Sequence, residues 1–185
     1  ASVKRTEDYR FLTGAGRYTD DINRPGQAYA YFVRSLHAHA TVNGINKDAA
    51  QAAPGVVAVL TGDDLAADGV GGIPCGFCPA PGPMNEPPRP ALAQGKVRYV
   101  GEAVAVVIAE CRSIAEDGVS AITVEYDSLP VVADCNEALN SDTPPARRGR
   151  ESNVLIEFEQ NYGDCDAAFA SAPHVFAETI TQHRG

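Results

Sequence analysis

The sequence has no apolar stretch that approaches the roughly 20 residues of a membrane-spanning helix. Its first residues, ASVKRTEDYRFLTGAG, also lack an apolar run long enough for a secretory signal peptide. No basic stripe with interleaved aromatic residues is present, and the net charge of -9 repels phosphate backbones and anionic lipid surfaces. We therefore expect neither nucleic acid nor a membrane as a partner, and we expect a cytoplasmic protein.

Cysteines are few and scattered, so the sequence contains no dense disulfide framework. Their number is odd, and the composition around them is that of an ordinary globular chain, 44% apolar and 21% charged. A chain of 185 residues can bury one core, or one domain and part of another. A reducing compartment suits these cysteines best. They are Cys75, Cys78, Cys111, Cys135 and Cys165.

Apolar periodicity predicts strands separated by short helices. The runs AYAYFVRS, TVNGIN, VVAVLT and AVAVVIA are predicted strands, as is a last run, ITVEYDSLPVVAD, with a bend at Pro130. The segments KDAAQAA and RSIAEDGVSAI are predicted helices, and Ser113 and Glu116 have capping-box spacing at the start of the second. Because most helices are short, we predict an α+β fold, a mixed sheet layered with short helices, rather than a doubly wound sheet.

Two local contacts are predicted from residue spacing. Thr61 stands three residues before Asp64, which resembles a capping arrangement for a single helical turn. Gly118 lies on the apolar face of the second predicted helix, where the missing Cβ permits close approach to a sheet.

Two segments interrupt this pattern. Seven of the 13 prolines fall in residues 69–90, which predicts a long irregular loop. Residues 140–152 combine Pro-Pro, arginines and polar residues, as a linker does. After this linker, residues 153–163 and 174–183 are predicted strands on either side of a helix capped by Asp164.

Cys75 and Cys78 have the spacing of a redox pair or of half a zinc site. The flanking prolines prevent a helix from beginning at the pair, which argues against thioredoxin-like chemistry. A structural zinc needs four ligands, and the other cysteines offer no second short spacing. We favour a loop that faces solvent or a partner, and keep a small metal or thiol-redox protein as an alternative.

Other chemical signals are weaker. His37 and His39 would share a face of an extended segment, but no third metal ligand is identifiable. The glycine runs at 14–16 and 69–72 lack the strand and long helix of a phosphate-binding loop. Adjacent acidic residues are expected to be solvated caps rather than acid–base catalysts. These pairs are Glu7-Asp8, Asp20-Asp21, Asp63-Asp64 and Glu116-Asp117. We therefore name no catalytic, cofactor-binding or metal-binding residue.

Six segments follow one another in a recognisable order: RTEDYRFLTGAGRYTDD, AYFVRSLHAHA, PGVVAVLTGDDL, VRYVGEAVAVVIAE, AEDGVSAITVEYDSLPVV and GDCDAAFASAPHVFAETITQHR. Together they resemble the N-terminal end of the molybdopterin-binding large subunit of the xanthine dehydrogenase, aldehyde oxidase and carbon monoxide dehydrogenase family. Ala103 departs from the proline that usually follows Val-Gly-Glu or Val-Gly-Gln in that family. The loop of Cys75 and Cys78 falls where family members vary most.

The resemblance implies a domain layout. Residues 1–20 would form an extended arm, 21–140 the α/β-hammerhead domain, 141–152 a linker, and 153–185 the start of an incomplete molybdopterin-binding domain. The glycine-rich cofactor loops and the glutamate general base of the family lie beyond the position of Gly185. The chain is therefore expected to be a fragment or one piece of a split subunit.

The resemblance also implies a chemistry, namely oxidative hydroxylation of an aldehyde or N-heterocycle with water as oxygen source, or carbon monoxide oxidation. The complete subunit would carry a molybdopterin-type molybdenum cofactor. Iron–sulfur clusters and FAD in partner subunits or domains would accept the electrons. This chain would have a structural and interface role against the remainder of the large subunit. The alternative is a stand-alone hammerhead module that docks onto partner subunits.

Overall fold

A computed structural model of the protein describes residues 3, 5–74, 76, 88–140, 142–146, 151–160 and 162–180. These residues divide into two compact units. One contains the residues up to Pro74 together with those from 88 to Asn153, and the other contains the segment from Val154 onwards. No helix in this described part of the chain is long and apolar enough to cross a membrane.

The regular elements are short and alternate between helix and strand. In chain order they are α1 (Asp8–Leu12), a 3₁₀ turn (Thr19–Asp21), β1 (Tyr29–Arg34), β2 (Ala40–Asn46), α2 (Asp48–Gln51), β3 (Val56–Thr61), α3 (Gly62–Ala67), β4 (Lys96–Val97), β5 (Ala103–Ala109), α4 (Arg112–Ser120), β6 (Thr123–Ser128), a second 3₁₀ turn (Glu137–Leu139) and α5 (Cys165–Ser171).

The first sheet has the order β1-β5-β3, and both of its pairings are antiparallel. β5 is the central strand, as predicted. Its sequence is continuously apolar because both of its faces are covered. On one face, the fully buried Val107 packs with Ala50 of α2. On the other, the fully buried Val104 packs with Val97 of β4.

The second sheet has the order β4-β2-β6, again with antiparallel pairings. The α+β fold with short helices is thus confirmed, but the mixed sheet predicted from the sequence is instead two three-stranded antiparallel sheets. The strands that pair are far apart in the sequence, so the sheet to which each strand belongs depends on contacts that local apolar periodicity does not reveal.

α4 packs closely on the first sheet through Gly118. A Cβ at this position would lie 2.9 Å from Cγ1 of Val107, so the predicted close approach is confirmed. The predicted capping box of Ser113 and Glu116 is wrong, because the helix already begins at Arg112 and its N-cap is Cys111. The Ser113 hydroxyl lies 3.3 Å from the Cys111 sulfur instead.

In the second unit, α5 has the predicted cap: the Asp164 carboxylate accepts a hydrogen bond from the amide of Ala167 at 2.9 Å. The flanking segments predicted as strands, 153–163 and 174–183, do not pair as strands over the residues that the structure describes. A strand exists only with a hydrogen-bonded neighbour. Phe176 is 90% exposed, so the apolar face predicted for the second segment has no covering layer here.

Candidate functional site

Cys75 and Cys78 lie outside the described residues, so the redox or zinc hypothesis for this pair stays a prediction. Cys111, Cys135 and Cys165 are free thiols. A hydrogen bond with the Ser113 hydroxyl lowers the pKa of the Cys111 thiol. Within the described ranges, no group of three or more His, Cys, Asp or Glu side chains could hold a metal ion.

His37 and His39 each contact a different part of the chain. The His37 ring packs at a tilt against Tyr126 with 4.7 Å between ring centroids, and its Nδ1 lies 3.3 Å from the Ser128 hydroxyl. Nδ1 of His39 donates to the carbonyl of Pro130 at 2.7 Å, since a carbonyl can only accept. Its Nε2 is buried and has no hydrogen-bond partner among the described residues. The two rings therefore hold the start of β2 against the end of β6.

The adjacent acidic residues act as caps and surface ion pairs where the structure gives them partners. Asp21 accepts a hydrogen bond from the amide of Tyr18 at 2.8 Å. Asp20 pairs with Arg112 at 3.1 Å between exposed side chains. Such contacts fix local geometry and contribute little to stability individually.

Asp64 differs from the other acidic residues because three groups converge on one of its oxygens. Oδ2 accepts hydrogen bonds from Nζ of Lys47 at 2.6 Å, from the amide of Thr61 at 2.7 Å and from the Thr61 hydroxyl at 2.8 Å. The Thr61 hydroxyl in turn accepts from the amide of Asp64, so the predicted cap is a complete capping box. The bond from Lys47, aided by Thr61, holds the pKa of Asp64 at about 2.

A shallow cleft of about 240 Å³ lies beside this network, with Lys47 and Thr61 on its polar side and Val42 and Ile45 on its apolar side. Gly62 forms part of its wall. A Cβ on this glycine would lie 2.5 Å from the carbonyl oxygen of Ala93. The cleft therefore depends on a residue without a side chain at the first position of α3.

A second cleft, of about 330 Å³, lies at the root of the proline-rich loop. Leu65, Val70 and Leu92 provide apolar surface, and glycine backbone provides much of the remainder. The two limbs of the loop are joined here by a hydrogen bond of 2.7 Å from the amide of Ile73 to the carbonyl of Arg89. The cleft is near the lower size limit of small-molecule pockets.

Two buried polar side chains stabilise the turns next to β1 and β5. The sequence patterns did not predict either of them. The Ser35 hydroxyl, in a residue 1% exposed, donates to the carbonyl of His37 at 2.9 Å and accepts from its amide at 3.0 Å. The Glu102 carboxylate, in a residue 9% exposed, accepts a hydrogen bond from the amide of Arg98. The available signal for Ser35 was a serine directly after a strand, a position typical of hydroxyl-stabilised turns.

The most deeply buried polar residues thus form hydrogen bonds within the chain. Ser35, Thr61 and Glu102 are the buried polar or charged residues of the described ranges, and each is hydrogen bonded within the chain. Groups satisfied in this way stabilise turns and helix ends. The exception among the buried side-chain atoms of the described residues is Nε2 of His39.

A known family matches most of the first unit. Residues 13–130 match the family described as aldehyde oxidase and xanthine dehydrogenase, a/b hammerhead domain. These residues contain all strands of both sheets and the helices α2, α3 and α4.

Two curated proteins illustrate the similarity over the longer range. The large subunit of nicotine 6-hydroxylase from Paenarthrobacter nicotinovorans is 43% identical over 94% of this chain and 21% of its own length. The large chain of carbon monoxide dehydrogenase from Hydrogenophaga pseudoflava is 40% identical over 96% of this chain and 22% of its own length. The chain therefore spans about one fifth of the length of these relatives.

A solved structure agrees with them. Quinoline 2-oxidoreductase from Pseudomonas putida 86 superimposes with a TM-score of 0.76 at 38% identity. The superposition covers 94% of this chain and 22% of that chain. Sequence and fold thus point to the same group of proteins.

Proposed function

Because the chain belongs to the aldehyde oxidase and xanthine dehydrogenase family through its a/b hammerhead domain, we propose that it is the N-terminal part of the large subunit of a molybdenum-dependent hydroxylase. The observation that carries this proposal is the match of 94–96% of the chain to about one fifth of two such large subunits. The catalytic residues of the enzyme then lie beyond Gly185, and this chain has a structural and interface role.

The proposed layout assigns residues 1–20 to an arm, 21–140 to the hammerhead domain, 141–152 to a linker and 153–185 to the start of the molybdopterin-binding domain. The division of the described residues after Asn153 into a second compact unit supports the boundary at the linker. The family match over residues 13–130 supports the extent of the hammerhead domain.

The complete enzyme would oxidise an aldehyde or an N-heterocycle by hydroxylation, or oxidise carbon monoxide. The names of the relatives include substrates of both kinds, the N-heterocycle nicotine and carbon monoxide. A molybdopterin-type molybdenum cofactor would supply the redox chemistry. The buried side chains of Ser35, Thr61 and Glu102 do not fit such a cofactor, because each is already hydrogen bonded within the chain.

The proposed partners are the remainder of the large subunit and the iron–sulfur and FAD subunits or domains that carry electrons away. The relatives are named as large subunits or as a subunit of a dehydrogenase complex, which supports an assembly of several chains. The cytoplasm is the proposed location.

The test is co-expression of the complete large subunit that contains this chain with its partner subunits. We expect molybdenum close to one atom per large subunit and turnover with at least one of three probes: quinoline, an aromatic aldehyde or carbon monoxide. The 185-residue chain alone should show neither metal nor turnover.

Two results would contradict the proposal. Stoichiometric molybdenum on the 185-residue chain would place the cofactor site inside it. A natural stop codon after Gly185, with no molybdenum in the assembled complex, would instead favour a stand-alone module that docks onto partner subunits. Bound metal or an abnormally acidic thiol that is lost in a C75S/C78S variant would favour the thiol-redox alternative.

A further inference from the structure

Exposed apolar side chains lie on β1 and on the two turns that Arg34, at the end of β1, helps to join. Phe32, Leu36, Tyr99 and Val100 are 41%, 86%, 60% and 63% exposed. We call these four residues and Arg34 the Arg34 patch. Single exposed apolar residues are ordinary on a protein surface, whereas a group of them around one charged residue marks an interaction site.

The residues of the Arg34 patch are joined although they come from distant parts of the sequence. Nη1 of Arg34 donates to the carbonyl of Gly101 at 2.9 Å, and its Cζ lies 5.6 Å from the centre of the Phe32 ring. The amide of Gly101 donates to the carbonyl of Ser35 at 2.7 Å. The turn that carries Leu36 is therefore held against the turn that carries Tyr99 and Val100.

Both turns are fixed before any partner binds. The buried Ser35 hydroxyl makes two hydrogen bonds to the backbone of His37, on the far side of Leu36. Gly101 has a φ of +89°, which few other residues adopt, and the Glu102 carboxylate anchors the amide of Arg98. Because the exposed side chains stand on rigid turns, binding would order little additional backbone.

Arg34 is one of the basic residues without a carboxylate partner among the described residues. Arg10, Lys47, Arg98 and Arg112 each pair with a carboxylate, whereas within that part of the chain Arg34, like Arg5, Arg17, Arg24, Arg89 and Lys96, does not. Arg34 contacts no carboxylate within the described residues, although the chain has a net charge of -9. A guanidinium has five N–H donors, and a carboxylate accepts two of them side by side. The patch is therefore complementary to an apolar surface that contains an acidic residue.

We propose that the Arg34 patch docks against a protein surface that presents apolar side chains around an aspartate or glutamate, within the remainder of the large subunit. This inference rests on the proposed function, since the relatives are several times longer than this chain, which spans 21–22% of their length. Docking removes the four apolar side chains from water and gives Arg34 its counter-ion.

The first experiment compares hydroxyl-radical labelling of Tyr99 in the 185-residue chain and in the complete large subunit. We expect a several-fold decrease in labelling of Tyr99 in the complete subunit, because the side chain passes from 60% exposed to buried. Equal labelling in the two proteins would overturn the inference, and this measurement needs no variant to fold.

The second experiment uses matched variants of the complete subunit. Val100→Ser and Arg34→Gln should each lower its thermal unfolding midpoint, while Val57→Ser and Arg112→Gln should not. Val57 and Val100 are both 63% exposed, and Arg112 already has a carboxylate partner, so the controls match in exposure and charge. Val100→Ser should leave the midpoint of the 185-residue chain unchanged. Equal effects of Val57→Ser and Val100→Ser would overturn the inference.

The two proposals fail differently. Turnover by a complete enzyme whose Tyr99 is labelled as in the shorter chain would overturn the docking surface and leave the enzyme function in place. Protection of Tyr99 in a complete subunit without molybdenum or turnover would support the docking surface and contradict the proposed function.

Discussion

The carboxylate of Asp64, in α3, is hydrogen bonded both to Thr61 at the end of β3 and to Lys47. Its pKa is about 2 in the folded protein, below the ordinary value of 3.8. A carboxyl whose pKa falls on folding stabilises the fold while it is ionised. The contribution is therefore complete above pH 3.8 and is lost as the pH falls from 3.8 towards 2. Because the side chain is 36% exposed, water screens the pair and limits the contribution to about 1 kcal/mol.

We predict that Asp64→Asn lowers the free energy of unfolding by about 1 kcal/mol at neutral pH and by much less at about pH 2. The amide oxygen of asparagine can still accept the Thr61 amide, but it carries no charge to face Lys47. Urea unfolding across this pH range measures the difference.

Asp63→Asn is the matched control, since Asp63 is an exposed carboxylate in the same turn of α3. It removes the same formal charge without touching Lys47 or Thr61. An equal loss in both variants would mean that the charge acts through the helix end rather than through the three-bond network.

His37 and His39 show where residue-level prediction stops. Their spacing suggested two rings on one face of an extended segment, but the chain bends at residues 36, 38 and 39 and β2 begins only at Ala40. The groups that they contact, Tyr126, Ser128 and Pro130, come about 90 positions later in the chain. A sequence pattern describes neighbours within a few residues, so it could not distinguish a metal ligand from a ring that packs against a distant tyrosine.

At the scale of an element, the position of α4 depends on the absence of a side chain at Gly118. Two opposing effects act when Gly118 becomes alanine: the better helix propensity of alanine, about 1 kcal/mol, and overpacking, typically about 1–3 kcal/mol. The added Cβ would meet Cγ1 of Val107 at 2.9 Å, a distance that requires movement in the centre of the sheet. Overpacking should therefore dominate.

We predict that Gly118→Ala destabilises the protein by about 1 kcal/mol, measured as a lower midpoint in urea. In a Val107→Ala background the clash is absent, and the same substitution should be neutral or stabilising. The difference between Asp117→Ala and Asp117→Gly, on the exposed face of α4, reports the glycine-to-alanine helix propensity without the clash. A Gly118→Ala penalty that persists in the Val107→Ala background would exclude the proposed contact as its cause.

Elements were predictable where the signal is local. β3, β5 and the capping box of Thr61 and Asp64 follow from six or seven consecutive residues, and the structure has them as predicted. The helix α4 begins at Arg112 as predicted, but its cap was misassigned because Ser113 and Glu116 have the right spacing, while the N-cap residue is Cys111. The division into two sheets was not predictable, since it depends on which distant strands meet.

For the whole molecule, the two units should differ in the protection of their backbone amides. β5 has a hydrogen-bonded strand on each side, whereas the described residues of 153–163 and 174–183 are not part of any strand. Hydrogen exchange reports such differences residue by residue.

We predict that amides of Ala103–Ala109 exchange slowest and that amides of residues 154–160 and 174–180 exchange orders of magnitude faster. Mass spectrometry of peptic fragments over a time course measures this. Protection of residues 174–180 equal to that of β5 would contradict the structure of the second unit. In the complete large subunit, the same residues should gain protection if they are covered there.

The position of β5 in the sheet also affects how the protein is made. β1 pairs with residues about 70–80 positions later in the chain. At a synthesis rate of about 5–20 residues per second, a nascent β1 waits roughly 4–15 seconds for its neighbour to be translated. Closing so long a loop is also slow. During that interval the aromatic segment YAYFVR is unpaired near the ribosome, so chaperone supply and translation speed through residues 35–109 should govern the yield of folded protein.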